Sequence, residues 1–422
     1  MNKIPKGYKQ TEVGVLPEDW EVKSANQLGT PVRGASPRPA GDPRYFNSSY
    51  IPWLTVAALT NIPASQLVVT ETATCLTEEG SLHSRTLSPG TLIIANSGAT
   101  LGVAKILGIR CCANDGIAAL LNISKDVSPQ YLAHFINTKT GYLREVVATG
   151  NGQPNLNTEL IGNLKIPFPP TKAEQEAIAE ALSDADALIE SLEQLIAKKR
   201  HIKQGVMQEL LTGKKRLPGV SGEWEVKRFG DIAQPRKGRI DPRRAGAQDF
   251  CVELEHIEQG TGCLAGYTAA GEGSSLKSVF QKGDVLFGKL RAYLRKYWLA
   301  DRDGVCSTEI WVLVAKHSQL IPEFLFQLVK VDRFIEAAST AYGTHMPRSD
   351  WNVVKNYEVH LPSVEEQTAI AIILSDMDAE IAALEEKLAK ARQLKQGMMQ
   401  ELLTGKTRLI ENGKWRMEND LG

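Results

Sequence analysis

The chain has 422 residues with 49 basic and 49 acidic side chains, so its formal net charge is zero. Hydrophobic residues make up 42% and charged residues 23%, which is typical of a globular protein and excludes a highly charged disordered chain. This length predicts about two or three domains. The N-terminal sequence MNKIPKGYKQ has no apolar segment, and no apolar run of about 18 residues follows, so we expect a cytoplasmic protein with no membrane span.

Residues 1–165 are interpreted as a first α/β globular domain. A loop rich in Pro, Gly and Arg (residues 31–44) is followed by predicted strands at residues 50–59 and 90–95. The Ser-Pro pair at 128–129 predicts the start of a helix that continues to residue 148. The apolar spacing of this helix predicts its buried face, which contains Tyr131, Leu132, Phe135, Ile136 and Leu143.

Residues 166–214 are predicted to form a long spacer helix. Thr171 and Glu174 have the spacing of a capping box, in which the hydroxyl accepts from the third backbone N–H and the carboxylate reaches back to the cap. Gly213 can take the left-handed conformation that ends a helix. About 40 residues lie between these signals, which corresponds to a helix of roughly 60 Å.

Residues 215–358 are interpreted as a second domain of the same plan. The sequence Trp-Glu-Val-Lys, which begins the first domain at Trp20, returns at Trp224. Strands are predicted at residues 250–257 and 283–288, and a helix begins at Ile321-Pro322. The predicted inner face of that helix contains Phe324, Leu325, Leu328 and Val329.

Residues 359–410 are predicted to form a second spacer helix that repeats the first. Residues 170–217 recur without a gap as residues 362–409, and roughly 30 of the 48 paired positions are identical. Ser363 and Glu366 repeat the capping-box spacing of the first helix. Residues 411–422 contain Gly-Lys-Trp at 413–415, which resembles the start of a third copy. We expect this C-terminal tail to pack near the N-terminal region and complete a cyclic arrangement; the alternative is a frayed terminus.

The apolar residues of both long helices are spaced by steps of three and four, which predicts one narrow seam. We expect the two helices to pack on each other as an antiparallel coiled coil, with Ile202 and Leu394 also in the seam. The alternative is that each helix lies on the core of its own domain. The residues predicted to pair the helices are Leu182, Ile189, Leu192, Ile196, Leu374, Ile381, Leu384 and Leu388. The predicted fold is therefore α/β (α+β), with two globular domains related by an internal repeat and two long antiparallel coiled-coil helices.

Catalytic motifs are missing from the sequence. It contains no phosphate-binding loop, no dinucleotide-binding glycine motif and no Asn/Asp-Pro-Pro-aromatic tetrapeptide of an amino-methyltransferase. Six cysteines without a C-x-x-C pair and seven widely separated histidines predict neither a metal site nor a disulfide framework. Glu21-x-Lys23 and Glu225-x-Lys227 resemble half of a nuclease motif, but the simpler interpretation is a strand with solvated ends.

Binding chemistry is more evident, because arginine and lysine attract phosphate, arginine can read guanine, and Asn or Gln can pair with adenine. The alternative for any one of these residues is a solvated charged surface or an ordinary turn. In the second domain the candidate DNA-binding residues are Arg236, Lys237, Arg239, Arg243, Arg244, Lys289, Arg291, Tyr293, Arg295, Thr344, His345 and Arg348. In the first domain they are Arg33, Arg38, Arg44, Asn96, Lys105, Gln153 and Asn155.

The sequence resembles the DNA-specificity subunit of type I restriction–modification enzymes over nearly its whole length. The resemblance lies in the Pro-x-x-x-Glu-Gln start and Leu-Leu-Thr-Gly-Lys end of both helices, in GDVLFGKLR at 283–291 and in CSTEI at 306–310. The first domain departs from this pattern, since it has Ser97 where the second has Leu290.

This resemblance implies a non-catalytic subunit whose two target-recognition domains each read half of a bipartite double-stranded DNA sequence. It also implies that the helices act as a ruler and dock two modification subunits, which carry S-adenosylmethionine and methylate adenine. Restriction/translocase subunits with ATP and Mg would join for cleavage, and this chain itself would hold no cofactor or metal. The alternatives are an enzyme with a disguised active site and a stand-alone coiled-coil DNA-binding regulator.

Overall fold

The computed structural model describes residues 4–147, 155–271, 275–340, 347–411 and 414–415. Its internal contacts divide the chain into unit 1 (Met1–Gln194 with Glu386–Gly422) and unit 2 (Leu195–Glu385). Both divisions fall inside a long helix, so each unit contains one globular body and part of each helix. The domain limits predicted from the repeat, at 165, 214, 358 and 410, remain predictions.

Unit 1 is built of short strands, short helices and one long helix. Its strands are β1 (Tyr8–Thr11), β2 (Gly14–Pro17), β3 (Glu21–Ser24), β4 (Thr30–Arg33), β5 (Phe46–Leu54), β6 (Val68–Val69), β7 (Thr74–Leu76), β8 (Arg85–Leu87), β9 (Leu92–Ala95), β10 (Ala104–Leu107), β11 (Cys111–Ala113), β12 (Ile117–Leu121) and β13 (Lys165–Phe168). Its helices are α1 (Ala25–Leu28), α2 (Val56–Thr60), α3 (Glu78–Leu82), α4 (Pro129–Thr138), α5 (Thr140–Tyr142), α6 (Thr158–Gly162) and α7 (Lys172–Leu210), of which the part after Gln194 belongs to unit 2.

Two sheets form the body of unit 1. The first has the strand order β4-β12-β9-β10-β6, and the second has the order β7-β5-β11-β8. Strand β9 is buried on both faces, because Leu92 and Ile94 join the core that includes α4, whereas Ile93 and Ala95 join the core between the sheets. This double burial explains why the apolar run in β9 does not alternate with polar residues. Strand β13 pairs antiparallel with β3 and so brings the end of the body beside its start.

The elements predicted for unit 1 form near the predicted positions, but their ends differ from the prediction. The strand predicted at 50–59 ends at Leu54, because the Thr55 side chain accepts a hydrogen bond from the Ala58 backbone N–H at 3.2 Å and starts α2. The helix predicted at 128–148 divides into α4, α5 and a π-helical turn at Leu143–Val147. Its predicted inner face is nevertheless buried at all five positions, as expected from the apolar spacing.

Unit 2 has the same kinds of element. Its strands are β14 (Glu225–Arg228), β15 (Ala233–Pro235), β16 (Arg239–Ile240), β17 (Gln248–Val252), β18 (Thr268–Ala270), β19 (Lys277–Phe280), β20 (Val285–Gly288), β21 (Tyr297–Leu299), β22 (Gly304–Ser307), β23 (Ile310–Ala315) and β24 (Glu358–Leu361). Its helices are α8 (Phe229–Ile232), α9 (Pro242–Ala245), α10 (Pro322–Leu328), α11 (Asp332–Ser339), α12 (Trp351–Val354) and α13 (Val364–Leu402). The part of α13 from Glu386 onward belongs to unit 1, as do the last strands, β25 (Ile410–Glu411) and β26 (Lys414–Trp415).

The two bodies share one topology. The sheet β15-β23-β20-β21 repeats the order β4-β12-β9-β10, and β18-β17-β22-β19 repeats β7-β5-β11-β8. They differ at the sheet edges, where unit 1 adds β6 to the first sheet and unit 2 adds β16 to the second. The strand predicted at 250–257 ends at Val252 and continues as a 3-10 turn at Leu254–His256. The internal repeat seen in the sequence is therefore a repeat of the whole body.

Each long helix starts with half of the predicted capping box. The Thr171 hydroxyl accepts from the Glu174 backbone N–H at 3.2 Å, and the Ser363 hydroxyl accepts from Glu366 at 3.3 Å. The prediction for the two carboxylates is wrong, because both are buried and bind distant arginines instead. In unit 2, Glu366 accepts from Arg216 at 2.7 and 2.8 Å, while in unit 1 Glu174 pairs in the same way with Arg408.

The glutamine that follows each of these glutamates fixes the long helix to its body. Gln175 accepts a hydrogen bond from the Ser128 backbone N–H at 2.9 Å, just before α4. Gln367 accepts from the Ile321 backbone N–H at 3.1 Å, just before α10. Both side chains are fully buried, and both donate to backbone carbonyls as well. The repeated Glu-Gln pair is thus a structural element of both units.

The long helices pack antiparallel within each unit, which confirms the predicted arrangement. In unit 1, Lys395 bonds Asp186 at 2.5 Å and Arg392 bonds Glu193 at 2.7 Å, so residue numbers fall along α13 as they rise along α7. The contacts in unit 2 follow the same rule; they are Lys199 with Glu380, Arg200 with Glu385 and Lys203 with Asp378.

The residues predicted for the seam differ in burial. Leu182, Ile189, Ile196, Leu374 and Ile381 are buried, whereas Leu192, Leu384 and Leu388 are half-buried. Leu182 and Leu374 belong to the cores of the two bodies, so near these residues each helix does lie on its own domain.

Ile202 and Leu394 were wrongly predicted to lie in the seam, since they are 43% and 62% exposed. The next residues, Lys203 and Lys395, take the inner positions because each pairs with an aspartate of the other helix.

The end of α13 packs on the N-terminal segment of unit 1. The Tyr8 hydroxyl donates to the Gly405 carbonyl at 3.1 Å, and Arg408 binds Asp19 at 3.0 and 3.1 Å. A side chain at Gly405 would meet Pro17 at 2.6 Å, so glycine is required for this approach. The predicted placement of the 411–422 tail remains open, because residues 412–413 and 416–422 lie outside the described residues. No helix among the described residues is long and apolar enough to cross a membrane.

Candidate nucleic-acid interface

A turn after the central strand of the first sheet occupies the same place in both bodies. After β9, Ser97 forms an antiparallel bridge with Asn155; after β20, Leu290 forms one with Arg348. Both members of the second bridge lie 193 residues after their counterparts in the first. Two segments distant in sequence therefore meet at one corner of each body, and both corners contain residues predicted to bind DNA.

In unit 2 this corner is a short 3-10 turn at Ala292–Leu294, in which Ala292 is buried and Tyr293 is exposed. The flanking residues Arg291 and Arg295 both adopt the left-handed conformation, with φ of 55° and 52°. Tyr293 stands at the middle of the turn and is 52% exposed. The arrangement presents one guanidinium and one aromatic ring at the protein surface.

Some predicted cations of unit 2 are held by acidic partners. The Arg236 guanidinium binds Asp284 at 2.7 and 2.8 Å, and this hydrogen bonding raises the pKa of Arg236. The other paired arginines are Arg243 with Asp241, Arg295 with Asp332 and Arg348 with Glu309. Within the ranges that the structure describes, no ion pair is formed by Lys237, Arg239, Arg244, Lys289 or Arg291. Thr344 and His345 lie outside the described residues.

The predicted arginines of unit 1 are exposed but paired. Arg33 and Arg38 both approach Asp115, at 4.0 and 3.5 Å, and Arg44 binds Asp42 at 2.8 Å. Exposed ion pairs of this kind contribute about 0–1 kcal/mol, so these arginines can exchange a carboxylate for a phosphate at little cost. Asn155 is exposed at the corner described above, and Gln153 lies outside the described residues.

Lys105 and Asn96 are buried, which corrects their predicted role as DNA contacts. The Lys105 ammonium donates to the backbone carbonyls of Pro63, at 2.8 Å, and Gln66, and burial lowers its pKa to about 8. The Asn96 amide donates to the Asp115 carbonyl at 3.2 Å. Both side chains hold neighbouring loops in place, so we remove them from the candidate interface.

Arg144 is a candidate that the sequence reasoning missed. It lies on the π-helical turn, is exposed, and donates to the Ala99 carbonyl at 2.7 Å, beside the turn that follows β9. Residues 99 and 144 are 45 apart in sequence, and no local pattern brings them together. Arg144 provides unit 1 with an exposed cation at this corner.

The possible nuclease motifs are solvated strand ends. Lys23 pairs with Glu21 at 3.3 Å and Lys227 pairs with Glu225 at 2.6 Å, and both glutamates are about two-thirds exposed. In the described part of the chain, no group of three His, Cys, Asp or Glu side chains is placed to hold a metal.

Taken with the fold, this site defines a protein with two bodies of one topology, each linked to a long helix and each with a surface corner at the same place. The chain belongs to the family described as type I restriction modification DNA specificity domain, whose model matches residues 17–198 and again residues 221–393. The two matches coincide with the two copies of the repeat. The resemblance inferred from the sequence is therefore confirmed.

Curated relatives agree with this assignment over most of the chain. The chain is 24% identical to the type I restriction enzyme MjaVIII specificity subunit of Methanocaldococcus jannaschii over 417 residues, covering 93% of this chain and 94% of the relative. It is 25% identical to the EcoDI specificity subunit of Escherichia coli, covering 66% and 70% of the two chains.

Two solved structures share the fold. The type I restriction–modification S subunit from M. genitalium matches with a TM-score of 0.60 at 13% identity, covering 95% of this chain and 97% of that one. A chain from a structure describing complex assembly of the type I system matches with a TM-score of 0.53 at 16% identity, covering 93% and 99%.

Proposed function

We propose that this chain selects a bipartite sequence in double-stranded DNA, with one body reading each half. The observation that carries the proposal is the shared corner: both bodies place an exposed turn at the same point of the same topology, but the side chains on the turns differ. Equal scaffolds with unlike surface residues suit two readers of two different half-sites. In this proposal the exposed arginines and lysines supply phosphate attraction, and the unlike side chains at the two corners supply the contacts that differ between the half-sites.

The paired helices are proposed to set the distance between the half-sites. Helices α7 and α13 each contain 39 residues, which corresponds to about 60 Å at 1.5 Å per residue. One turn of duplex DNA is about 34 Å, so we expect an unread gap of roughly one half to one turn between the half-sites.

The same helices are proposed to dock two modification subunits, one on each copy of the repeat. An internal repeat gives one chain two equivalent surfaces, which suits two identical partners. Those partners would bind S-adenosylmethionine and methylate adenine, and restriction/translocase subunits with ATP and Mg would add cleavage. This chain would contribute specificity without catalysis, cofactor or metal.

Co-expression tests the proposal. The gene is expressed with and without the modification-subunit gene of the same host, in a strain that lacks adenine methylation, and methylated sites are mapped across the genome. We expect one bipartite motif with the pair of genes and none with either gene alone. Calorimetry should show S-adenosylmethionine binding to the complex but not to this chain. Methylation by this chain alone would identify an enzyme, and tight specific binding without partners would identify a stand-alone regulator.

A second experiment tests the spacing role of the helices. Inserting seven residues after Gln194 and seven after Glu385 lengthens both helices by two turns and keeps the antiparallel seam in phase. Each helix grows by about 10 Å, so the unread gap should grow by about three base pairs while the half-site letters stay the same. An unchanged gap in a methylation-competent complex would contradict the proposed spacing role.

A further inference from the structure

The five-residue turn at the shared corner, which we call the tip turn, begins and ends with a residue of positive φ in both units, but the residues at these two positions differ. In unit 1 it is residues 98–102, Gly-Ala-Thr-Leu-Gly, and in unit 2 it is residues 291–295, Arg-Ala-Tyr-Leu-Arg. The first and last residues are left-handed in both turns, with φ of 75° and 85° at the glycines and 55° and 52° at the arginines. The tip turns are therefore equivalent elements.

Arginine is an unfavourable choice for these positions. The left-handed region brings Cβ close to the backbone of L-residues, and only glycine adopts it without strain. In unit 1, a Cβ on Gly98 would meet Val56 at 3.1 Å and one on Gly102 would meet Leu143 at 3.2 Å, so packing reinforces glycine there. Unit 2 accepts two strained residues in one short turn, which indicates that the arginine side chains have a use that glycine cannot supply.

Arg295 makes its contacts within the protein. Its guanidinium binds Asp332 at 2.5 Å, and its carbonyl accepts from the Gly260 backbone N–H at 2.9 Å. Its own backbone N–H donates to Ala292 at 2.8 Å and so closes the 3-10 turn. These contacts hold one end of the tip turn in its strained conformation.

The Arg291 side chain has no charged partner in the described part of the chain. Its backbone N–H donates to the Pro347 carbonyl at 2.9 Å, but its exposed side chain forms no ion pair with any described residue. Tyr293, two residues later, is half-exposed and stacks on no described aromatic ring. An exposed guanidinium and an exposed phenol ring are therefore carried by a backbone that is held at both ends.

We propose that the tip turn of unit 2 is a preorganised DNA-contact element, in which Arg291 binds a backbone phosphate and Tyr293 stacks on a nucleobase or sugar. This inference rests on the proposed function and assigns that function to two side chains. In unit 1 the position of Tyr293 is taken by Thr100, which has no ring to stack. The two half-sites are therefore read by different chemistry at the same corner.

The experiment uses the co-expressed complex of this chain with the modification subunits and a duplex that carries the mapped motif. Affinity is measured by fluorescence anisotropy across a salt series, and methylation of the motif is measured in cells. The variants are Arg291→Gly, Tyr293→Ala and Tyr293→Phe. The controls are Tyr267→Ala and Arg302→Ala, which remove an exposed tyrosine and an exposed arginine of unit 2 outside the tip turn.

Arg291→Gly should lower affinity about ten-fold and reduce the salt slope by about one charge. Its thermal stability should equal or exceed that of the wild type, because glycine relieves the left-handed strain. Tyr293→Ala should lower affinity about ten-fold with an unchanged salt slope, because stacking does not release counterions. Tyr293→Phe keeps the ring and should bind like the wild type, as should both controls.

Wild-type affinity in both Arg291→Gly and Tyr293→Ala would overturn the inference, and so would a loss of thermal stability in Arg291→Gly without a loss of binding. A defect in the controls equal to that of the tip variants would show a diffuse charge effect and would also overturn it. If the wild-type complex neither methylates nor binds DNA, the proposed function itself fails. This result differs from a failure of the inference, because the wild type and every variant would then show no methylation and no binding.

Discussion

Lys330 is a buried lysine in unit 2 whose removal should stabilise the protein only when its neighbour changes too. Its ammonium is 4% exposed, donates to Asp378 at 2.8 Å and to Gln327 at 3.2 Å, and lies 4.2 Å from the centre of the Phe326 ring. Burial lowers the pKa of Lys330 from 10.5 to about 8, although the nearby carboxylate of Asp378 acts in the opposite direction. Desolvation therefore outweighs the ion pair at this site.

The magnitude follows from that pKa. The difference between 10.5 and about 8 corresponds to about 3 kcal/mol of destabilisation at neutral pH, because one pKa unit is equivalent to 1.36 kcal/mol. Lys330→Met removes this penalty but leaves the buried Gln327 side chain without its bond to the ammonium, and an unpaired buried amide costs about 1–3 kcal/mol. The Gln327 Nε2 group already has no partner among the described residues. The single variant should thus be close to neutral, and Lys330→Met with Gln327→Leu should gain about 3 kcal/mol.

The pH dependence of the unfolding free energy tests the same prediction independently. Since the folded pKa is below the unfolded value, the unfolded chain binds more protons between pH 8 and 10.5, and the wild-type free energy of unfolding rises with pH across that window. The double variant lacks this group, so its advantage over the wild type should shrink as pH rises from 8 to 10.5.

Urea unfolding followed by circular dichroism gives the free energies, and hydrogen exchange of α10 peptides localises the effect to unit 2. Lys237→Met removes a lysine that forms no ion pair among the described residues and serves as the control. A double variant less stable than the wild type, or one whose advantage is constant from pH 8 to 10.5, would refute the reasoning.

Three further predictions concern the long helices. Ile196→Glu puts a charge at a position that is 4% exposed and should destabilise the protein by about 3 kcal/mol or more. The control Leu195→Glu changes a neighbour that is 38% exposed and should alter stability by about 0.5 kcal/mol or less. Equal melting temperatures for the two variants would contradict the predicted seam. Arg408→Met leaves the buried Glu174 without its guanidinium and should cost about 3 kcal/mol at pH 8. Burial raises the pKa of Glu174, so the carboxyl takes up a proton in the folded state as pH falls, and the stability lost in the variant should shrink towards pH 4.5. An equal loss of unfolding free energy at both pH values, measured by urea unfolding, would contradict this prediction. Gly205→Ala fills open space in the interior of α7 and should raise stability by about 0.5–1 kcal/mol in the same assay; a decrease would mean that the backbone there is not simply helical.

The sequence predicted elements whose signals are local, and it failed where a partner is distant. The hydroxyl caps at Thr171 and Ser363 depend on residues three positions away and were predicted correctly. The carboxylate of Glu174 was not, because its partner Arg408 is 234 residues further along the chain. Local reasoning assigned that carboxylate to the nearest donor, the backbone N–H of the cap.

Errors in the candidate interface and in the helix seam also arise because a partner is distant in the sequence. Lysine is treated as a surface residue in sequence reasoning, yet Lys105 is buried because two loop carbonyls accept its protons. Ile202 was placed in the seam because it is apolar, but the inner position belongs to Lys203, whose partner Asp378 is on the other helix. Arg144 was missed because only the folded chain brings it to Ala99.

Comparing the two copies of the repeat distinguishes the residues that hold each unit together from the residues that are available for recognition. Side chains that bind other parts of the same unit are the same in both copies: the glutamate and glutamine at the start of each helix, the aspartate and lysine that pair across the helices, and the arginine that follows each helix. The tip turns share a positive φ at both ends but not one charged or aromatic side chain. Because both copies must fold alike but need not bind alike, the residues that differ at structurally equivalent positions are the ones to which the DNA contacts peculiar to one half-site should be assigned. That criterion requires no knowledge of the DNA sequence, and it places Arg291 and Tyr293 ahead of every cation chosen for charge alone.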